Sequence, residues 1–236
     1  MGRAAALLIL LAALFAWFEA APSMDPLSEW QSVAVVSLLV IPAMFGLVWF
    51  SLPICRETRW LIVSFFGLLG LALVCGALDW QVPANFAKFG AVTCLGWLFL
   101  KAFEELSWVV LVALAVPWVD AYSVWRGPTH SITEHHAAVF TKLSIAFVVP
   151  GGNAARLGIT DVLFFAVFLG ATMRFDLRPF LTWLLMVAGL GITIVCTTYW
   201  ATGGLPALPA LSAGFLLANA DLLWRRVGRP VMSRAA

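Results

Sequence analysis

Two aspartates stand inside apolar stretches of this chain. Asp120 lies in "LVALAVPWVDAYSVW" and Asp161 in "LGITDVLFFAVFLG". An ionisable group at the centre of a bilayer costs about 2.5–3.5 kcal/mol on insertion scales, so it marks a functional site unless something else explains it. Neither aspartate has a basic neighbour at helical spacing within its own run. The other acids (Glu19, Asp25, Glu29, Glu57, Asp79, Glu104, Glu105, Asp176, Asp221 and Glu134) fall at segment ends or in loops, where a solvated charge suffices. Of these, Glu105 is spaced to pair with Lys101 across a tight helical connection.

The chemistry open to such a pair follows from proximity. Two carboxyls brought together do not both ionise easily and share a proton. The ionised member can then take a proton from water while the protonated member polarises a carbonyl, which is the acid–base arrangement of an aspartic protease. The residues alone leave two other uses open: a proton relay in a transporter or channel, and an inactive scaffold that binds membrane helices.

The elements that must hold these acids are apolar helices. Of 236 residues, 63% are hydrophobic and 11% charged, against about 25% charged in a soluble domain. The balance excludes a soluble globule, and a net charge of +2 gives no basis for a nucleic-acid partner. Apolar runs long enough to be spanning helices occur near 4–20, 31–51, 60–79, 86–101, 105–125, 157–174, 180–200 and 205–224. The expected fold is an all-α polytopic membrane protein of about eight transmembrane helices, in two parts. Residues 1–104 carry the first helices, of which 4–20 also has the pattern of a signal peptide. Residues 105–236 carry the two acids. Tryptophans such as Trp30, Trp60, Trp80, Trp125, Trp200 and Trp224 flank the runs, as in an interfacial belt.

Orientation follows from the cations. With the N-terminus inside, Arg3, Arg56, Arg59, Lys101, Arg174, Arg178, Arg225, Arg226, Arg229 and Arg234 fall on the inner face, ten against the four on the outer face, Lys88, Arg126, Lys142 and Arg156. The expected location is the cell membrane, with the C-terminus cytoplasmic and the long connection 126–156 outside. In that frame Asp120 lies ~8 Å and Asp161 ~6 Å in from the same outer face, on antiparallel helices. They can meet if those helices are neighbours.

The outer connection begins as a polar loop. Its His130, Glu134, His135 and His136 are types that could bind a metal but form no HExxH pattern; a solvated loop is the preferred reading, and no metal or other cofactor is expected. From Leu143 to Pro150 it turns apolar, with Ile145, Val148 and Val149 favouring an extended strand. Such a strand is either packed on the helices or free to pair with a peptide. The four cysteines form no CxxC pair and read as small buried residues.

The last run opens with "GGLPALPAL", Gly203 to Leu211. Pro206 and Pro209 keep a helix from starting cleanly at the outer face. Irregular backbone at membrane depth is tolerated only where it is buried in protein or lines a wet cavity.

Three motifs thus stand in order: "VPWVDAYSVW", "LGITDVLFF" and "GGLPALPAL". Together they resemble the presenilin and signal peptide peptidase family, the GxGD-type intramembrane aspartyl proteases. The resemblance covers about residues 106–224. It implies a presenilin-like helical bundle in which Asp120 and Asp161 are the catalytic pair. It also implies that Pro206, Ala207 and Leu208 shape the active site beside them. Gly158, Thr160, Leu205 and Pro209 are expected to border the substrate with them, and Val148 and Val149 of the strand are expected to pair to it. Substrates would be transmembrane-helix proteins or signal peptides. Two positions depart from the family pattern: Val119 replaces tyrosine, and Thr160 replaces the second glycine. The orientation resembles that of signal peptide peptidase.

Overall fold

The computed structural model describes residues 2–126, 144–152, 154–200 and 205–227. The His130, Glu134, His135 and His136 cluster lies outside the described residues. Each of the eight apolar runs is mostly helical, although 157–174 begins in a strand and 205–224 in irregular backbone. The order is α1 (Arg3–Ala20), α2 (Glu29–Val35), α3 (Ile41–Ser51), α4 (Thr58–Ala77), α5 (Gln81–Leu100) and α6 (Leu106–Arg126). Then come β1 (Ser144–Val148), β2 (Ala154–Gly158), α7 (Ile159–Arg174), α8 (Pro179–Tyr199) and α9 (Leu208–Val227). A π-helical turn over Val36–Val40 joins α2 to α3 in one rod. Ser28 starts that rod with a capping box: its hydroxyl accepts from Gln31 N–H, and the Gln31 side chain accepts from Ser28 N–H.

Among the described residues five helices are long and apolar enough to cross a membrane: Arg3–Ser23, Glu29–Arg56, Thr58–Ala77, Leu106–Ser123 and Pro179–Tyr199. The other three, α5, α7 and α9, differ for a physical reason. They face protein more than they face the periphery, so they carry polar or small residues that a peripheral helix would not. Helix α7 is buried along most of its length, from Val162 through Phe165 to Thr172. It runs only 16 residues. Phe165 lies 4.1 Å, centroid to centroid, from Phe45 of α3, and Phe168 stacks on Phe215 of α9 at 5.0 Å. One apolar core runs through helices from both halves of the chain.

Helix α1 is an integral part of this bundle. It packs along α3, buries Leu14 and Phe18, and sets Phe18 5.0 Å from Phe86 of α5. Helix α9 is tied to α8 at the other end of the molecule. Asn219, fully buried, accepts from Arg178 N–H at 2.9 Å and donates to Thr182 Oγ1 at 2.8 Å. Arg178 also forks onto Asp221 with bonds of 2.7 and 2.8 Å. Every polar group in this small network meets a partner, which is what makes it tolerable in an apolar setting.

The strand expected over Leu143–Pro150 is present as β1, but it is half of a hairpin. β1 pairs antiparallel with β2 in the register Ser144↔Gly158, Ala146↔Arg156 and Val148↔Ala154. The turn uses Gly151 and Gly152 at φ +87° and +79°, where a side chain is strained. Gly151 has a second reason to be glycine. Its N–H donates to Ala21 O at 3.2 Å, and a Cβ there would sit 2.7 Å from Pro26 Cα. The turn therefore docks on the link between α1 and α2.

Candidate functional site

β1 is held on its outer edge by side chains. Asn85 of α5 donates from Nδ2 to Ala146 O at 3.0 Å and accepts from Ala146 N–H at 2.9 Å. Its amide thus stands in for the peptide group of a neighbouring strand. The Lys88 ammonium donates to Ser144 O at 3.0 Å, and the Trp17 indole donates to Val148 O at 3.0 Å. Ile145 and Phe147 point into the core, at 0% and 1% exposure.

This corrects one expectation. Of the two readings of this strand, packed on the helices or free for Val148 and Val149 to pair with a peptide, the packed one is found. The Val148 carbonyl is already taken by Trp17, and Val149 is 2% exposed. The outer edge of β1 is occupied, so an added strand has to lie against β2. Ala146 turns both its backbone groups to Asn85, which makes Ala146↔Arg156 a non-hydrogen-bonded pair of the hairpin. By the same alternation, Ala154, Arg156 and Gly158 direct their backbone groups to the outer side of β2. Among the described residues no strand pairs with that side.

The last of these outward groups is already in use. Gly158 N–H donates to Asp161 Oδ2 at 3.1 Å. Gly158 is both the end of β2 and the cap of α7, and Asp161 is the third residue of that helix. This is half of a capping box: the carboxylate reaches back to the cap amide, and glycine has no side chain to return the bond. Asp161 is 8% exposed. A Cβ on Gly158 would stand 3.2 Å from Asp161 Oδ2 and 3.3 Å from Thr160 Oγ1, so the glycine gives the carboxyl its room. Thr160, next to it, is exposed.

Asp120 reaches the site from α6. Its Oδ2 accepts from Leu208 N–H at 3.0 Å, with the Ala207 amide also directed at it. Leu205, Pro206 and Ala207 are non-helical and α9 starts at Leu208. The carboxyl of one helix therefore caps the N-terminus of another, where orphan N–H groups and the helix dipole favour a negative charge. The two prolines have different parts. Pro206 belongs to the irregular segment ahead of the helix. Pro209 sits in its first turn, where the missing N–H costs nothing. The irregular backbone expected across both prolines is thus confined to the first.

The two acids share this corner, close enough for the Asp120 charge to act on Asp161. By residue count from the helix ends they lie level with each other, and the fold brings their helices, with α9, to one place. Helix α6 packs chiefly on α9 and touches α7 little. Its remaining face is open, with Trp118 at 78%, Val119 at 68% and Tyr122 at 66% exposure. Val119 faces this open side, whereas Asp120 is half-buried.

Asn85, Lys88 and Trp17 had no signal in the sequence as site residues. Asn85 and Lys88 were legible only as polar residues in an apolar helix. No group of histidines, cysteines and acids among the described residues forms a metal centre. No family model matches the chain, and neither does any curated protein.

Proposed function

We propose that this protein is an intramembrane aspartyl protease of eight transmembrane helices, with Asp120 and Asp161 as its catalytic pair. The observation that carries the reading is the Asp120 carboxyl bonded to Leu208 N–H, within electrostatic reach of Asp161, at the irregular start of α9. One acid is ionised and the other protonated. The ionised acid takes a proton from a water molecule as the water's oxygen attacks the peptide carbonyl carbon. The protonated acid hydrogen-bonds the carbonyl oxygen. The tetrahedral intermediate then breaks at the C–N bond, and the amine leaves with a proton returned from the pair.

The substrate is a transmembrane helix or signal peptide that enters past the open face of α6. To be cut it must unwind locally, which exposes backbone N–H and C=O groups that lipid cannot satisfy. The outer side of β2 offers partners by strand addition. Because β2 ends at Gly158, a peptide paired there is delivered to Asp161. Leu205, Pro206 and Ala207 border it on the α9 side. In this reading the hairpin lies on the outer face of the cell membrane and the C-terminus in the cytoplasm.

The pair is tested by inhibitor binding and by pH. A peptide carrying a hydroxyl isostere of the tetrahedral intermediate should bind purified protein. The cleavage rate should rise and fall with pH in a bell, with both limbs belonging to the coupled pair. A rate insensitive to pH, with no isostere binding, removes the proposal; proton flux across liposomes without proteolysis points to a relay. Gly158→Ala brings a methyl against both Asp161 and Thr160. It should lower kcat by about 10–100-fold, the scale of a sub-ångström misplacement of a reacting group, with little change in Tm.

A further inference from the structure

At the end of the bundle opposite the two acids, a cavity of about 360 Å³ opens between three segments. Cys55, Arg56, Leu100, Lys101, Gly170, Met173 and Arg174 line it. Three of these are cations, each at the terminus of a different element: Arg56 ends the turn after α3, Lys101 follows α5, and Arg174 is the last residue of α7. Among the described residues no carboxylate lines the cavity. Among the described residues none of the three cations makes an ion pair. Lys101 donates to Arg56 O at 3.3 Å and Arg174 to Leu100 O at 2.7 Å. The Lys101–Glu105 pair expected from spacing does not form, and Glu105 instead accepts from Ser107.

Two further features separate this cavity from a merely basic surface. Its wall at Gly170 abuts Trp97, whose indole N–H is buried with no acceptor among the described residues. A Cβ on Gly170 would lie 3.2 Å from that nitrogen, and 2.8 and 2.9 Å from Trp97 Cδ1 and Leu100 Cδ2. Gly170 thus lets α5 and α7 close up beside an orphaned donor. The rest of the lining, Cys55, Leu100 and Met173, is apolar. Three cations without counter-charge, beside an apolar wall, fit an acceptor-rich anion attached to something greasy.

We propose that this cavity binds a phosphate-bearing anion, with the glycerophosphate head of an anionic phospholipid as its source. Basic pockets between helices at the cation-rich face of a membrane protein bind such heads, and each lysine or arginine adds attraction. The phosphate oxygens accept from Arg56, Lys101 and Arg174, with a bidentate fork available from either arginine. The acyl chains run past Leu100 and Met173. The site lies ~20 Å along α7 from Asp161 and does not depend on what Asp161 does.

The test is native mass spectrometry of the purified protein equilibrated with equimolar phosphatidylglycerol and phosphatidylcholine of identical chains. The wild type should retain phosphatidylglycerol preferentially. The preference should fall by about fivefold for each of Arg56→Gln, Lys101→Gln and Arg174→Gln. Arg59→Gln, at the same end but outside the cavity, should leave it unchanged. A second arm raises the Tm of delipidated protein with millimolar inorganic phosphate against chloride at equal ionic strength. Stabilisation by phosphate, lost in Lys101→Gln, without lipid preference, keeps the anion site but makes its source free phosphate. No lipid preference and no phosphate effect in the wild type overturns the proposal, as does an equal loss in Arg59→Gln. The wild-type comparison decides even where a variant fails to fold.

Discussion

Asp120→Asn and Asp161→Asn should each lower cleavage of a transmembrane reporter by about 10³-fold or more, the scale of losing an acid–base group and the pairing it depends on. Asparagine is the informative replacement because of what each carboxylate holds. Asp120 accepts from Leu208 N–H, and Asp161 accepts from Gly158 N–H. The amide oxygen of asparagine can accept the same bonds. The start of α9 and the cap of α7 therefore survive, and thermal unfolding should move little. The double variant should be no slower than the single ones, since the two acids act as one unit. The rates are read by gel separation of the reporter in liposomes. Cleavage at the wild-type rate in both single variants contradicts the assignment.

The second large effect is expected 35 residues before Asp120 in the chain, at Asn85. Replacing it by leucine keeps the branched heavy-atom skeleton, though with bulkier methyl groups, and removes both bonds to Ala146. The N–H and C=O of Ala146 then lose their partners in a part-buried site. Each orphaned group costs about 1–3 kcal/mol, so Asn85→Leu should cost about 2–6 kcal/mol. The Tm should fall by roughly 5 °C or more. Activity should fall further than stability, because β1 positions β2 and β2 leads directly into Gly158 and Asp161. Trp17→Phe removes one bond to the same strand, at Val148 O, and should give a smaller effect in the same direction. A full-activity Asn85→Leu protein would show that the hairpin is dispensable.

What the sequence revealed and what it hid divide along physical lines. Apolar runs long enough to be helices leave few alternatives, so the mostly helical fold is legible, with five helices among the described residues long and apolar enough to cross a membrane. Asp120 and Asp161 are legible because charge inside such a run is costly, and counting residues from the helix ends puts them at one level. The start of α9 is legible from Pro206. β2 was not foreseen. "AARLG" contains no β-branched or aromatic residue, and it is a strand because β1 pairs with it. The pointer that was present is the turn Pro150-Gly151-Gly152 between two short segments, a hairpin signal. The roles of Asn85 and Trp17 arise only from contacts 61 and 131 residues away in the chain. No local pattern encodes them. The Lys101–Glu105 spacing misleads for the same reason, since the Lys101 ammonium meets the Arg56 carbonyl from another segment.

The arrangement also accounts for why the site combines so many interrupted elements. β2 stops at Gly158, α7 starts at Ile159, and α9 starts only after Pro206. Each interruption frees backbone amides at one corner of the bundle, and the two carboxylates take up amides of two of them, at Gly158 and Leu208. A hydrolytic reading adds a reason for leaving these ends unsealed: water and an unwound peptide both need polar partners there.

The most direct test is to incubate the wild-type protein in liposomes with a transmembrane reporter in ¹⁸O-labelled water and weigh the fragments. Hydrolysis by an activated water predicts a new C-terminus within the apolar segment that carries one labelled oxygen. A reporter that stays intact, or fragments formed equally by the Asp161→Asn protein, would contradict it.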